Sequence, residues 1–161
     1  MNNLRHIYHI IFITKGCKMS IPMEGKDLLL DRMTQIFTGK GCQVHAINAF
    51  LNHVHILVEI PQTENFNKIV NKVKSSTGVL CRKNPEHTDF VGWVPGFDSF
   101  SVSFGNIYQL KQLIEEQQSI HRELSFEEEY RQLLEENGFS SSQTLRPASL
   151  PTNNHAKNGT K

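Results

Sequence analysis

The sequence predicts an α+β domain with a ferredoxin-like fold, a split β-α-β-β-α-β arrangement whose antiparallel sheet is followed by additional C-terminal helices. Two observations lead to this prediction. Stretches with the period of a strand and stretches with the spacing of a helix follow one another in that order along the chain. The second and third strands are separated by two residues only, which predicts an antiparallel hairpin. A chain of 161 residues is sufficient for one such domain with a hydrophobic core.

The composition is that of an ordinary globular protein and excludes a strong global attraction to nucleic acid. The chain is 38% hydrophobic and 20% charged, and its formal net charge is +1, so any basic surface must be local. No apolar run approaches the roughly 18 residues that span a bilayer, and the N-terminus does not have the pattern of a signal peptide. We therefore expect a cytoplasmic protein with no membrane association.

The first half of the chain contains three predicted strands and one helix. Residues 6–14 are rich in Ile, Tyr, Phe and Thr, which favours a buried strand. Apolar residues at helical spacing lead from Leu28 to Phe37, and Gly39 marks the end of this first helix. The second strand is predicted over residues 42–50 and the third, after Leu51-Asn52, over residues 53–60.

The third strand carries His53 and His55 on one face. Because a strand has a period of two, its other face is formed by β-branched residues typical of a core, Val54, Ile56, Val58 and Ile60. Side chains two positions apart lie roughly 6.5 to 7 Å from each other along a strand, close enough for two imidazoles to share a divalent ion with a third ligand. The pair alone is equally consistent with two structural histidines. The histidines with no partner pattern are predicted to be structural or exposed, namely His6, His9, His45, His87 and His155.

The second helix, from Phe66 to Lys83, has an apolar stripe on one side and a basic face on the other. No acidic residue occurs in this range. The basic face is consistent with a solvated helix surface or with a surface that contacts nucleic-acid phosphates. On the second interpretation the DNA-binding residues are Lys68, Lys72, Lys74, Ser75, Ser76, Arg82 and Lys83.

The second half of the chain supplies one more strand and two helices. A loop over residues 84–96 contains the only tryptophan, and residues 97–103 alternate as a fourth strand. A third helix is predicted from residue 105 to about residue 122, with Gln117 on its apolar stripe. Ser125 begins a fourth, Glu-rich helix with a capping box, and this acidic end of the chain is not expected to approach nucleic acid. Residues 1–138 then form the domain, and residues 139–161 form a polar tail predicted to be disordered.

Seven short motifs occur in a fixed order along the chain. They are Phe12-Ile13-Thr14-Lys15, His53-Val54-His55-Ile56-Leu57-Val58, Lys74-Ser75-Ser76-Thr77, Trp93 with Gly96-Phe97, Phe100-Ser101-Val102-Ser103, Ile114-Glu115-Glu116-Gln117, and Ser125-Phe126-Glu127-Glu128-Glu129-Tyr130. Together they resemble the single-tyrosine transposases of the HUH superfamily. These small enzymes move insertion sequences as single-stranded DNA and include the REP-associated transposases.

The resemblance implies a metal-dependent protein of DNA transposition and recombination. In the family, the two histidines of the HUH motif and a glutamine hold Mg²⁺ or Mn²⁺, and the corresponding residues are His53, His55 and Gln117. The implied partners are hairpin or single-stranded DNA and a second copy of the chain, since family members are homodimers. His121 follows Gln117 by four residues on the same helical face, so it is expected beside the metal.

The position of the family nucleophile is occupied by a residue that cannot attack phosphorus. The family tyrosine precedes the glutamine by four residues, and that position is Leu113. Tyr108 is one candidate substitute, although the helical period directs it away from Gln117; Tyr8 or Tyr130 from another subunit is a second. The simplest interpretation is a transposase-like protein that keeps DNA and metal binding and is impaired in strand cleavage. The alternatives are a domesticated DNA-binding regulator without catalysis, and a ferredoxin-like interaction domain with a structural histidine pair.

Overall fold

The computed structural model describes residues 2–140 and confirms the predicted fold class. Four antiparallel strands form one sheet in the order β2-β3-β1-β4. The strands are β1 (Ile7–Ile13), β2 (Gln43–Phe50), β3 (His53–Glu59) and β4 (Asp98–Ser101). The helices are α1 (Lys26–Thr38), α2 (Phe66–Lys83), α3 (Ile107–Glu115), α4 (Gln117–Ile120) and α5 (Phe126–Glu136).

Helices α1 and α2 cover one face of the sheet, as the alternation of the strands predicts. The β-branched face of β3 and the side chains of Ile10 and Phe12 on β1 are buried against these two helices. Met33 and Phe37 of α1 and Val73 of α2 complete this core and are fully buried. Burying apolar side chains of this size stabilises the fold by about 1.5 to 3 kcal/mol each.

The three C-terminal helices cover the opposite face, which is the face that carries the histidine pair. Tyr130 and Leu134 of α5 pack against Ile11 and Ile13 of β1, and Ile114 of α3 packs in a separate small cluster on the same side. The sequence predicted two helices in this region but not the surface that they cover. Their position encloses the histidine face instead of leaving it open to solvent.

The prediction of one helix over residues 105–122 is wrong, because the helix breaks at Glu116, where φ is −93° and ψ is 13°. Asn48 on β2 stabilises this break. The Asn48 side-chain amide donates to the carbonyl of Ile114 at 2.9 Å and to that of Glu115 at 3.2 Å, which satisfies carbonyls at the end of α3 that otherwise have no partner within the helix. The amide oxygen of Asn48 accepts from Lys26 Nζ at 2.9 Å. The chain therefore turns before Gln117 and starts a separate short helix.

The hairpin turn before His53 is held by hydrogen bonds from the start of the chain. Leu51 has φ of +49°, a left-handed conformation that costs a side-chain-bearing residue roughly 1 to 2 kcal/mol. Its carbonyl accepts from Ile21 N at 2.8 Å, and the carbonyl of Asn52 accepts from Thr14 N at 2.9 Å. These bonds hold the turn in place and so set the position of His53.

Apart from its first two residues, the tail predicted to be disordered lies outside the described residues, so the domain boundary at residue 138 stays a prediction. Phe139 is described, and its ring lies 5.9 Å from that of Phe100. Within residues 2–140, none of the helices combines the length and apolar character needed to cross a bilayer.

Candidate functional site

His53 and His55 lie side by side on β3, almost fully buried. Their ring centroids are 5.0 Å apart and their planes are nearly perpendicular. The Phe126 ring of α5 stacks on His53 with a centroid distance of 4.0 Å. The strand alternation that placed both imidazoles on one face therefore brings them under the C-terminal helices.

Asn52 orients the ring of His53. Its side-chain nitrogen donates to the carbonyl of Cys17 at 3.2 Å, so its oxygen is the atom that faces His53 Nδ1, at 2.7 Å. An amide oxygen only accepts hydrogen bonds, and His53 Nδ1 therefore carries the proton. Nε2 of the neutral ring is left with its lone pair directed into the site, as metal binding requires.

Gln117 is also buried, and its amide is oriented from two sides. Its Nε2 donates to Glu129 Oε1 at 2.8 Å and to the carbonyl of Leu113 at 3.3 Å. Its Oε1 consequently faces His53 Nε2 at 3.1 Å. Two lone pairs at this distance repel unless a proton or a cation lies next to them, so this part of the site is suited to positive charge.

His121 touches the same atoms directly. Its Nδ1 donates to the carbonyl of Leu124 at 2.8 Å, and its Nε2 lies 2.9 Å from Gln117 Oε1 and 3.1 Å from His53 Nε2. Glu129 Oε2 is 2.9 Å from His121 Nε2. Burial opposes the charged form of His121, but the bonds to Glu129 and Leu124 outweigh it and raise its pKa.

Glu129 is a member of the site that was not predicted from the sequence. Its carboxylate lies 3.4 Å from His55 Nε2 and 3.6 Å from His53 Nε2. Burial raises the pKa of Glu129, but the neighbouring side chains of His121, His55 and Gln117 together lower it well below its usual range, so the group is ionised. A signal was present in the sequence. Glu129 follows Phe126 by three residues and precedes Leu133 by four on α5, which is the spacing of one helical face and predicts an inward position for this residue of a glutamate run.

The donor set fits a divalent ion. Ligand atoms of His53, His55 and Glu129 all lie within 4.8 Å of one another. His55 Nε2 is buried and has no hydrogen-bond partner among the described residues; its other ring nitrogen, Nδ1, is 2.8 Å from His9 Nε2. Two imidazoles with carboxylate and amide oxygens form a mixed nitrogen and oxygen set compatible with Mn²⁺ or Mg²⁺. This cluster could hold a metal ion.

Leu113 and Tyr108 both point outwards from α3. The side chain of Leu113 is 52% exposed, although its carbonyl contacts Gln117. Tyr108 is 71% exposed, and its hydroxyl accepts from Gln112 Nε2 at 3.2 Å. The contacts of Tyr108 in the described part of the chain do not include the histidine cluster.

The other two tyrosines are engaged elsewhere in the fold. Tyr130 is buried and donates its hydroxyl proton to Asp98 at 2.8 Å. Burial and the neighbouring Asp98 raise the pKa of Tyr130, which disfavours the phenolate. Tyr8 packs against Phe66 of α2, with ring centroids 4.5 Å apart, and so lies on the opposite face of the sheet from the histidines.

A groove of about 630 Å³ lies along the basic face of α2. Most of the residues predicted to bind DNA line this groove, namely Lys68, Lys72, Lys74, Ser75 and Arg82. Ser76 and Lys83 are not among the residues that line it in the described part of the chain. Lys15 was not predicted, and it lines the groove with its alkyl chain against Gly92. No acidic side chain belongs to the lining within residues 2–140, so the groove is a positively charged surface.

Lys74 and Trp93 connect the loop before β4 to α2. Lys74 Nζ donates to the carbonyl of Gly96, and burial lowers the pKa of Lys74. Trp93 Nε1 donates to Thr77 Oγ1 at 3.2 Å. Lys74 therefore has a structural contact that the exposed lysines of the groove do not have.

The groove and the histidine cluster lie on opposite faces of the sheet but approach each other at one end of β1. Thr14 follows β1 and bonds to Asn52, the residue that orients His53. The next residue, Lys15, lines the groove and donates its backbone N–H to Gly92 O at 2.8 Å. The consecutive residues Thr14 and Lys15 thus join the two candidate sites.

Comparison with known proteins finds one matching family model and two similar solved structures. A family model described as "Transposase IS200 like" matches residues 3–117. A crystal structure of a candidate transposase from Deinococcus radiodurans R1 is 24% identical with a TM-score of 0.54, over 72% of this chain and 93% of that one. A REP-associated tyrosine transposase bound to a REP hairpin is 12% identical with a TM-score of 0.58, over 75% of this chain and 74% of that one. No curated protein matches.

Proposed function

The chain belongs to the IS200-like transposase family, and from that premise we propose that it is a transposase-like protein that binds hairpin or single-stranded DNA, holds a divalent ion and is impaired in tyrosine-mediated strand cleavage. The observation that carries this proposal is the convergence of His53, His55, Gln117 and Glu129 on the buried face of the sheet. These residues come from three separate elements, β3, α4 and α5.

The proposed metal ligands are His53 Nε2, His55 Nε2 and Gln117 Oε1, to which the geometry adds the carboxylate of Glu129. Mg²⁺ or Mn²⁺ bound there would polarise a phosphate oxygen of the DNA. Two polar contacts hold the site ready for an ion. Asn52 keeps the Nε2 lone pair of His53 directed inwards, and the bond from Gln117 Nε2 to Glu129 keeps the amide oxygen of Gln117 on the side of the histidines.

The proposed DNA-binding surface is the groove along α2. Lys68, Lys72 and Arg82 are exposed there, and lysine and arginine side chains supply most contacts to nucleic-acid phosphates. A solved relative with the same fold is bound to a REP hairpin, which supports a hairpin as the partner of this chain. We also propose that the protein binds DNA as a homodimer, which light scattering of the free protein and of its DNA complex would test.

The proposed impairment follows from Leu113. A phosphotyrosine intermediate needs an activated phenol close to the metal site, and a leucine at the family position supplies none. Tyr108 is directed to solvent and Tyr130 is bonded to Asp98. Leu113 also favours a second candidate function, a regulator that binds DNA and does not cleave it.

A hairpin DNA with a labelled single-stranded flank tests the proposal. We expect Mn²⁺ binding by calorimetry and retardation of the hairpin in a gel, with little or no covalent protein–DNA adduct under denaturing conditions. His53→Ala with His55→Ala should abolish Mn²⁺ binding and keep the fold. An efficient adduct that is lost in Tyr108→Phe would show that Tyr108 is the nucleophile. Absence of both Mn²⁺ and DNA binding would instead support an interaction domain with a structural histidine pair.

A further inference from the structure

His9 was expected to be structural or exposed, yet it contacts one of the two histidines of the motif directly. It lies on β1, the strand adjacent to β3, and only 3% of its surface is exposed. Its Nε2 is 2.8 Å from His55 Nδ1. The ring centroids are 5.0 Å apart and the angle between the ring planes is 27°, so the two nitrogens meet edge to edge, close to the plane of both rings. Phe100 on β4 packs beside His9, with the two ring centroids 6.0 Å apart.

The two ring nitrogens of His55 have different surroundings. Nδ1 has His9 as its partner, whereas Nε2 is buried, has no hydrogen-bond partner among residues 2–140, and faces Glu129 Oε1 at 3.4 Å. A histidine binds a metal through a nitrogen without a proton, so binding through Nε2 requires the proton on Nδ1. That buried N–H needs an acceptor, and His9 Nε2 is in position to accept it.

We infer that His9 is a positioning residue for the metal site: it accepts the Nδ1 proton of His55 and so directs the Nε2 lone pair of His55 towards Glu129. This role rests on the proposed function, because it concerns the same metal site. With this role, His53 and His55 are oriented in the same way. Asn52 accepts the Nδ1 proton of His53, and His9 does the same for His55 from the neighbouring strand. Both rings are then held by partners outside the ligand set.

The test compares Mn²⁺ affinity in three variants of the full chain. His9→Phe keeps a flat ring beside His55 and Phe100 but removes the acceptor, and we expect the dissociation constant for Mn²⁺ to rise about 10- to 100-fold. His9→Gln restores an acceptor and should recover a large part of that loss. His87→Phe is the matched control. His87 is also buried, and neither of its ring nitrogens has a hydrogen-bond partner among the described residues, so Mn²⁺ affinity should be unchanged.

The outcomes separate this inference from the proposed function. If the wild type binds Mn²⁺ and folded His9→Phe binds it equally well, the inference on His9 is wrong and the metal site stands. If the wild type binds no Mn²⁺, the metal site itself is wrong. Should His9→Phe not fold, ¹⁵N NMR of the wild type with Mg²⁺ decides the question. A His55 proton on Nδ1, coupled to His9, supports the role, and a proton on Nε2 overturns it.

Discussion

The side-chain amide of Gln117 donates a hydrogen bond to the carboxylate of Glu129 across 2.8 Å. This bond joins α4 to α5 above the histidine pair, and it links a residue that the sequence identified to one that it did not. Because Gln117 Nε2 is engaged in this way, Gln117 Oε1 faces His53. The orientation of the glutamine thus depends on a helix that lies outside the region matched by the family model.

Replacing Glu129 with glutamine should weaken metal binding. The substitution keeps the size of the side chain and removes the negative charge that faces both histidines, so we expect Mn²⁺ affinity to fall about tenfold or more. Calorimetry measures the change. Glu128→Gln is the control, since Glu128 pairs with Arg131 on the outer side of α5. Equal affinities for the two variants would exclude Glu129 as a ligand.

Replacing Asn48 with alanine should affect both stability and the metal site. The change leaves the carbonyls of Ile114 and Glu115 without their partner and should cost about 1 to 3 kcal/mol of unfolding free energy. The break before Gln117 loses its support, so Mn²⁺ affinity should fall as well. Urea denaturation and calorimetry measure the two effects. Asn67→Ala on α2 is the control, and a destabilisation as small as that of the control would refute the role of Asn48.

Removing two lysines of the groove should reduce DNA affinity and its dependence on salt. For Lys68→Ala with Lys72→Ala, we expect the slope of log affinity against log salt to become less steep by about 1.4 to 1.8, because two phosphate contacts are lost. Lys40→Ala with Lys111→Ala removes the same charge from outside the groove and is the matched control. If both double variants lose affinity equally, only net charge matters and the groove is not the binding surface.

Installing a tyrosine at the family position tests whether a missing nucleophile is the cause of the proposed impairment. Leu113 is half exposed, so a larger side chain can be accommodated without disturbing the core. We expect Leu113→Tyr to form a covalent adduct with labelled hairpin DNA when Mn²⁺ is present, and Leu113→Phe to form none. A denaturing gel detects the adduct. If Leu113→Tyr also forms no adduct, the site differs from an active one by more than this residue.

Several features of the protein follow from local sequence and were predicted correctly. The alternation of β3 placed His53 and His55 on one face and the core residues on the other, as the structure confirms. Helical spacing identified α2 and its basic side. Leu113 precedes Gln117 by four residues, and the Gln117 side-chain amide donates to the Leu113 carbonyl at 3.3 Å; that Leu113 occupies the position of the family tyrosine stays a prediction. Each of these depends on neighbours within a few positions along the chain.

Tertiary structure alone decided how the site is completed. Asn48 supports the helix break at Glu116 by bonding to Ile114, 66 residues away along the chain, and α5 folds over the histidine face so that Glu129 meets His53 and His55. His9 meets His55 because β1 and β3 are adjacent in the sheet. Periodicity defines the face on which a side chain lies, but it does not specify which distant element packs against that face. The sequence by itself indicated the two histidines and the glutamine of the candidate site, whereas its carboxylate and the groups that orient it depend on long-range packing.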